Sequence, residues 1–141
     1  MLIEEHIDIL APAATLFAIY AEVGAWHRWD PDTKSARLDG PLRVGAAGML
    51  APAQGFPVKM AVVEVEQDRS FTVECKAPLC VMRFEHVLTP LQGGAVNALH
   101  RVGFSGPLAG LFGRLVGTRV RRGLPATMAS LKRYAEAQAP A

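Results

Sequence analysis

A chain of 141 residues, half hydrophobic and a fifth charged, can bury one core but not two, and its composition is globular rather than disordered. The formal net charge of +2 leaves no nucleic-acid footprint, although Arg114, Arg119, Arg121 and Arg122 bunch late in the chain, where charges on a helix ordinarily mark its solvated face. Every apolar run is broken by charge short of the roughly twenty residues of a membrane span, and Glu4 and Glu5 stand where a secretory signal would be basic and then apolar. A cytoplasmic chain is therefore expected, with Cys75 and Cys80 reduced, forming one unit over residues 1–141.

Residues 2–9 have the β-branched content of a first strand. Pro12 then stands where a helix's first turn tolerates it, and Leu16, Phe17 and Tyr20 recur at helical spacing. Gly24 is expected to end that helix, and a second short helix carries Trp26 and Trp29 up to the stop at Asp30-Pro31. From residue 34 short strands alternate with turns, over 34–39, 46–52, 58–66, 70–77, 80–89 and 94–105. Connections this short make neighbouring strands antiparallel. The remainder, Pro107 to about Ala137, reads as one long helix, with Leu108, Leu111, Phe112, Leu115, Val116, Val120, Leu124, Met128, Leu131 and Tyr134 in one apolar stripe. Pro125 predicts a kink in it, and four glycines (Gly110, Gly113, Gly117, Gly123) make it dependent on packing.

The expected architecture is α+β, about seven antiparallel strands curved around a long C-terminal helix, with two short helices after the first strand. Its segments Ala11-Pro12-Ala13-Ala14-Thr15-Leu16-Phe17, Trp26-His27-Arg28-Trp29-Asp30-Pro31 and Leu124 to Glu136 carry a likeness. The chain resembles the START-like, or SRPBCC, superfamily, and within it the bacterial polyketide cyclase/dehydrase group. That resemblance implies a helix-grip fold with a cavity between sheet and helix. Members bind lipids, hormones, polyketides or other hydrophobic molecules, and some catalyse cyclisation or dehydration, so fold alone does not choose between carrier and enzyme.

Alternation puts Cys80, Met82, Phe84, His86 and Leu88 on one face of their strand, and Val96, Ala98, His100, Val102 and Phe104 on one face of the next. A turn centred on Gly93 sets His86 across from His100. The pair is either a general acid/base or hydrogen-bonding site in an apolar pocket, or two core histidines satisfied by neighbours. Zinc would need a third ligand, for which only Cys75, remote in register, is on offer. His27, Asp30 and Asp32 match no metal spacing and read as a loop cap. There is no nucleophile elbow, phosphate loop or sign of a cofactor.

The leading expectation is a cavity for a hydrophobic small molecule, a lipid, polyketide or aromatic, lined by Trp29, Met82, Phe84, Val102, Phe104, Phe112 and Val116, with His86 and His100 as polar anchor. Met49 and Met60 are further lining candidates, and Gly113 and Gly117 either widen the cavity or allow close packing. The rival is a cyclase- or dehydratase-like enzyme moving protons through the same histidines. A third class is an interaction module whose inward face is filled by its own side chains. Homodimerisation is compatible with all three, and no strand marks its face.

Overall fold

The structure, a computed structural model, describes residues 2–138. β1 (Leu2–Ile9) leads into α1 (Ala13–Ala21) and a 3-10 helix over Val23–Arg28. The strands β2 (Thr33–Leu38), β3 (Ala47–Pro52), β4 (Val58–Glu66), β5 (Ser70–Ala77), β6 (Cys80–Pro90) and β7 (Val96–Ser105) follow, and α2 (Ala109–Gln138) ends the described chain. The seven strands form one antiparallel sheet in the order β1-β7-β6-β5-β4-β3-β2. Only β1 leaves its sequence neighbour. The α1 segment carries the chain from one sheet edge to the other, so β1 closes against β7. This is the expected helix-grip arrangement.

Boundaries shift for local reasons. The first helix ends at Ala21 rather than at Gly24, because Glu22 leaves helical dihedrals (φ −84°, ψ 71°) while its N–H still bonds Ala18 O. Gly24 instead lies inside the 3-10 helix, which stops at Arg28, ahead of Asp30-Pro31. β7 starts two residues later than predicted, since Gln92–Gly94 forms a short 3-10 turn in which Gly93 and Gly94 take φ of 77° and 80°. Glycine adopts these values without Cβ strain.

α2 packs chiefly on β1, with lesser contact to β7, β6 and α1. Gly113, Gly117, Leu124, Thr127, Met128, Leu131 and Ala135 form its buried side, and the helix runs through Pro125 without a break. The predicted stripe is too wide. Leu111 and Leu115 are 51% and 64% exposed. Each residue turns about 100° around a helix, so these leucines diverge from Phe112 and Val116, which are half-buried against the core.

The sheet's two faces differ in chemistry as alternation requires. Inward side chains are apolar apart from Glu5, Thr33, His86 and His100. The outer face of β1, β7, β6 and β5 carries the ion-pair run Glu4–Arg101–Glu85–Arg83–Glu74, at 2.7 to 3.1 Å. Each exposed pair of this kind contributes about 0.2–1 kcal/mol, so the run fixes strand neighbours more than it stabilises the fold.

Candidate functional site

The β6–β7 ladder pairs His86 with His100, Phe84 with Val102 and Met82 with Phe104, the expected register. Three inward rungs thus follow one another, about 7 Å apart, from the histidines toward the end of the sheet where α2 begins. Val102, Phe104 and Met82 are buried, and Phe84 and His86 retain accessible surface. Phe112 and Val116, from α2's first turns, pack half-buried against the same core.

The histidine rung belongs to a polar and aromatic cluster. α1 brings in Tyr20, fully buried, with its Oη 2.8 Å from His100 Nε2. Either the hydroxyl donates to Nε2, or Nε2–H donates to the hydroxyl oxygen. Phe71 of β5 stacks on His86 (centroids 3.9 Å apart, planes at 1°), and the imidazoles meet edge to face at 4.6 Å. Trp29 lies 5.9 Å from Tyr20 and 6.1 Å from His100 between ring centroids. Trp26 donates its Nε1–H to the Tyr20 carbonyl at 2.9 Å, locking α1 to the 3-10 helix.

His86 Nδ1 is 3.2 Å from the Phe71 carbonyl oxygen. A carbonyl only accepts, so Nδ1 carries the proton and Nε2 presents a lone pair. No protein group bonds that Nε2 among the described residues. Burial pulls the His86 pKa down to about 4, against smaller opposing effects of the Phe71 carbonyl and Glu85. Burial, then the neighbouring His86, hold His100 well below the ordinary histidine range. Burial also pushes the Tyr20 hydroxyl up, so it keeps its proton. At neutral pH the cluster is therefore uncharged, with one free acceptor at His86. One donor is free too, since the buried Trp29 Nε1–H has no partner among the described residues.

Of the predicted residues, Trp29, His86 and His100 come together, and Phe84, Val102, Met82 and Phe104 extend the same inward wall. Trp29 is 3% exposed and packs within the cluster, touching from beneath a crevice of about 210 Å³ between α1 and the end of α2. Met60 is buried on the inward side, but Met49 pairs with Lys59 on the outer face and lines nothing, because the β3–β4 register sets Gly48 opposite Met60. Cys75 and Cys80 are buried, and burial pushes the Cys75 thiol up to about 12, the behaviour of a small hydrophobe. Among the described residues no three His, Cys, Asp or Glu side chains gather as a metal site.

The Asp30 loop is a structural clasp. Its carboxylate accepts from Asp32 N–H (2.9 Å), Thr33 Oγ1 (2.9 Å) and Thr127 Oγ1 (3.2 Å), tying the 3-10 helix to β2 and α2. Asp32 lies against Gly123, where a methyl group would meet its carboxylate.

Sequence reasoning missed Tyr20 and Glu5. Both were within reach of it. A tyrosine on the apolar face of α1 needs a partner when buried, and the inward-facing histidines are the side chains that can supply one. Glu5 falls between Ile3 and Ile7 on the inward alternation of β1, and it pairs opposite His100, half-buried.

Comparison with known proteins agrees with the fold. No curated protein sequence is significantly similar to this chain. The fold is similar to that of protein MLL2253 from Mesorhizobium loti (TM-score 0.78, 14% identity, 99% of this chain and 100% of that one). It is similar also to hypothetical protein jhp0584 from Helicobacter pylori (TM-score 0.78, 15% identity, 96% of this chain and 88% of that one). The di-domain ARO/CYC BexL from the BE-7585A biosynthetic pathway matches with a TM-score of 0.74 at 18% identity, over 94% of this chain and 45% of that one. At such identities these likenesses show the fold alone. Residues 2–136 match the family described as polyketide cyclase/dehydrase and lipid transport, and the chain belongs to that family.

Proposed function

We propose that this protein binds an apolar small molecule against the inward wall formed by Phe84, Val102, Phe104, Phe112 and Val116, with His86 as its polar anchor. The observation that carries the reading is the His86 ring: Nδ1 is committed to the Phe71 carbonyl, Nε2 is free, and the ring keeps accessible surface beside Phe84. A neutral imidazole of fixed tautomer accepts a hydrogen bond and repels no neutral ligand, so the preferred ligand is apolar and carries a hydroxyl. A carboxylate would find no cation on this wall. The family's description, which includes lipid transport, supports the same class.

The test compares 2-naphthol with 2-methoxynaphthalene by isothermal titration calorimetry. The naphthol should bind about fivefold or more tighter, the worth of one buried hydrogen bond, and His86→Phe should erase that preference while keeping apolar affinity. Equal affinities in the native protein, or binding of neither compound, would refute the reading. Extraction of the purified protein, followed by mass spectrometry, would identify any natural ligand.

A second reading is favoured by one contact, the 2.8 Å bond between Tyr20 and His100 beside His86. Tyr20 and the two imidazoles could pass a proton to or from a bound polyketide, as a cyclase or dehydratase requires. The double substitution His86→Ala, His100→Ala separates the two readings. An enzyme loses turnover and keeps ligand affinity, whereas a carrier only binds more weakly.

A further inference from the structure

We infer that the end of the molecule where α2 begins is a docking surface for an anionic lipid bilayer. Antiparallel topology brings three segments to that end: the β3–β4 loop, the β5–β6 turn and the junction from β7 into α2. Each presents a large apolar side chain to solvent. Phe56 is 87% exposed in the first, Leu79 62% in the second, and Leu111 and Leu115 are exposed on the opening turns of α2. The segments touch: Leu108 N–H bonds Leu79 O at 3.0 Å, and Arg119 Nη1 reaches Gln54 O at 3.4 Å.

Leu79 is held at φ 60°, in the left-handed region where glycine or asparagine is the ordinary occupant. The turn accepts backbone strain and still points an apolar side chain at water.

Charge selects the partner. No Asp or Glu occurs from His86 to Ala135. Arg114, Arg119, Arg121 and Arg122 are exposed on α2 and form no ion pair among the described residues, and Lys59 and Lys76 stand exposed near the adjoining turns. Arg122 continues the outward line of Leu111 and Leu115, with Arg114 and Arg119 on its flanks. Apolar side chains on three separate segments, with guanidinium groups along α2, suit a fluid interface with negative headgroups, where each segment inserts independently. A flat protein partner would need a continuous apolar patch. Phe112 and Val116 follow Leu111 and Leu115 around the same helix, so the proposed ligand wall lies next to this surface. The docking itself does not depend on there being a ligand.

Sedimentation of the whole protein with vesicles tests this. Pure phosphatidylcholine vesicles are compared with vesicles containing about one-third phosphatidylglycerol, at about 0.1 M and about 0.5 M salt. Binding should be at least about tenfold stronger to the anionic vesicles and fall with salt. Leu111→Ser with Leu115→Ser, and separately Phe56→Ser, should weaken it several-fold with an unchanged thermal midpoint, since all three residues are exposed. Arg114→Gln with Arg122→Gln should weaken it about 25-fold, at roughly fivefold per guanidinium.

Equal affinity for both vesicle types would overturn the proposal, as would loss on arginine substitution alone with the leucine and phenylalanine variants unaffected. Arginine-dependent binding of a DNA duplex without vesicle binding would assign the surface to nucleic acid instead. A leucine-dependent dimer that ignores vesicles would assign it to a second copy of the chain.

Discussion

Acidification should destabilise this protein through its buried histidines. His86 has an ordinary pKa of 6.5 in the unfolded chain and about 4 in the fold. Between these values the unfolded chain binds the proton more strongly, so stability is lost as pH falls. From about pH 7 to about pH 5 the linkage for His86 alone amounts to about 2 kcal/mol, and it approaches about 3 kcal/mol below pH 4. Solvent reaching the ring's accessible edge makes these upper values. His100 is lowered too, and adds in the same direction.

Two titratable groups face the imidazole pair from the inward side, Tyr20, protonated throughout this range, and Glu5, while Glu85 acts through the sheet from the outer face. Glu85 would be raised by burial alone, but Arg83 and Arg101 hold it below the usual carboxylate range, so its loss of stability begins only near pH 4.5. Asp30, raised by burial, acts in the opposite sense, its protonation favouring the fold as pH falls. Urea unfolding followed by the fluorescence of the buried Trp26 and Trp29 should show the midpoint falling by about 1 M between pH 7 and pH 5. His86→Gln should remove roughly half of that slope. A midpoint flat over this range, or a slope unchanged in the variant, would refute the neutral-histidine assignment and the ligand chemistry built on it.

Two further substitutions probe the cluster and the sheet. Tyr20→Phe leaves His100 Nε2 buried without its partner and should cost about 1–3 kcal/mol in urea unfolding, with the fold's circular dichroism unchanged. Gly48→Ala sets a methyl group on the carbonyl of Arg37 in β2, backbone that cannot step aside within the ladder. It should cost about 1–3 kcal/mol and accelerate amide exchange in β2 and β3 before the rest of the sheet.

The sequence by itself determined the order of elements and the inward face of each middle strand. Period-two alternation and short turns leave little freedom, and a turn centred on Gly93 sufficed to set His86 against His100. The likeness to a known family could be read there too, because its motifs are local runs around Pro12, Trp26 and Leu124. Helix ends were less legible, since Glu22 leaves helical dihedrals through a backbone choice that no side chain announces.

The tertiary structure alone decided what the histidines touch. Tyr20 lies eighty residues from His100 in the chain, and only the path of α1 across the sheet brings a phenol to that imidazole. Likewise the tautomer of His86 depends on the Phe71 carbonyl of a neighbouring strand. The apolar stripe of α2 shows the same limit from the other side. Spacing marks Leu111 and Leu115 as apolar, but how much of a helix the sheet covers depends on where the helix lies, and here it lies over β1 and β7 with two leucines left facing outward.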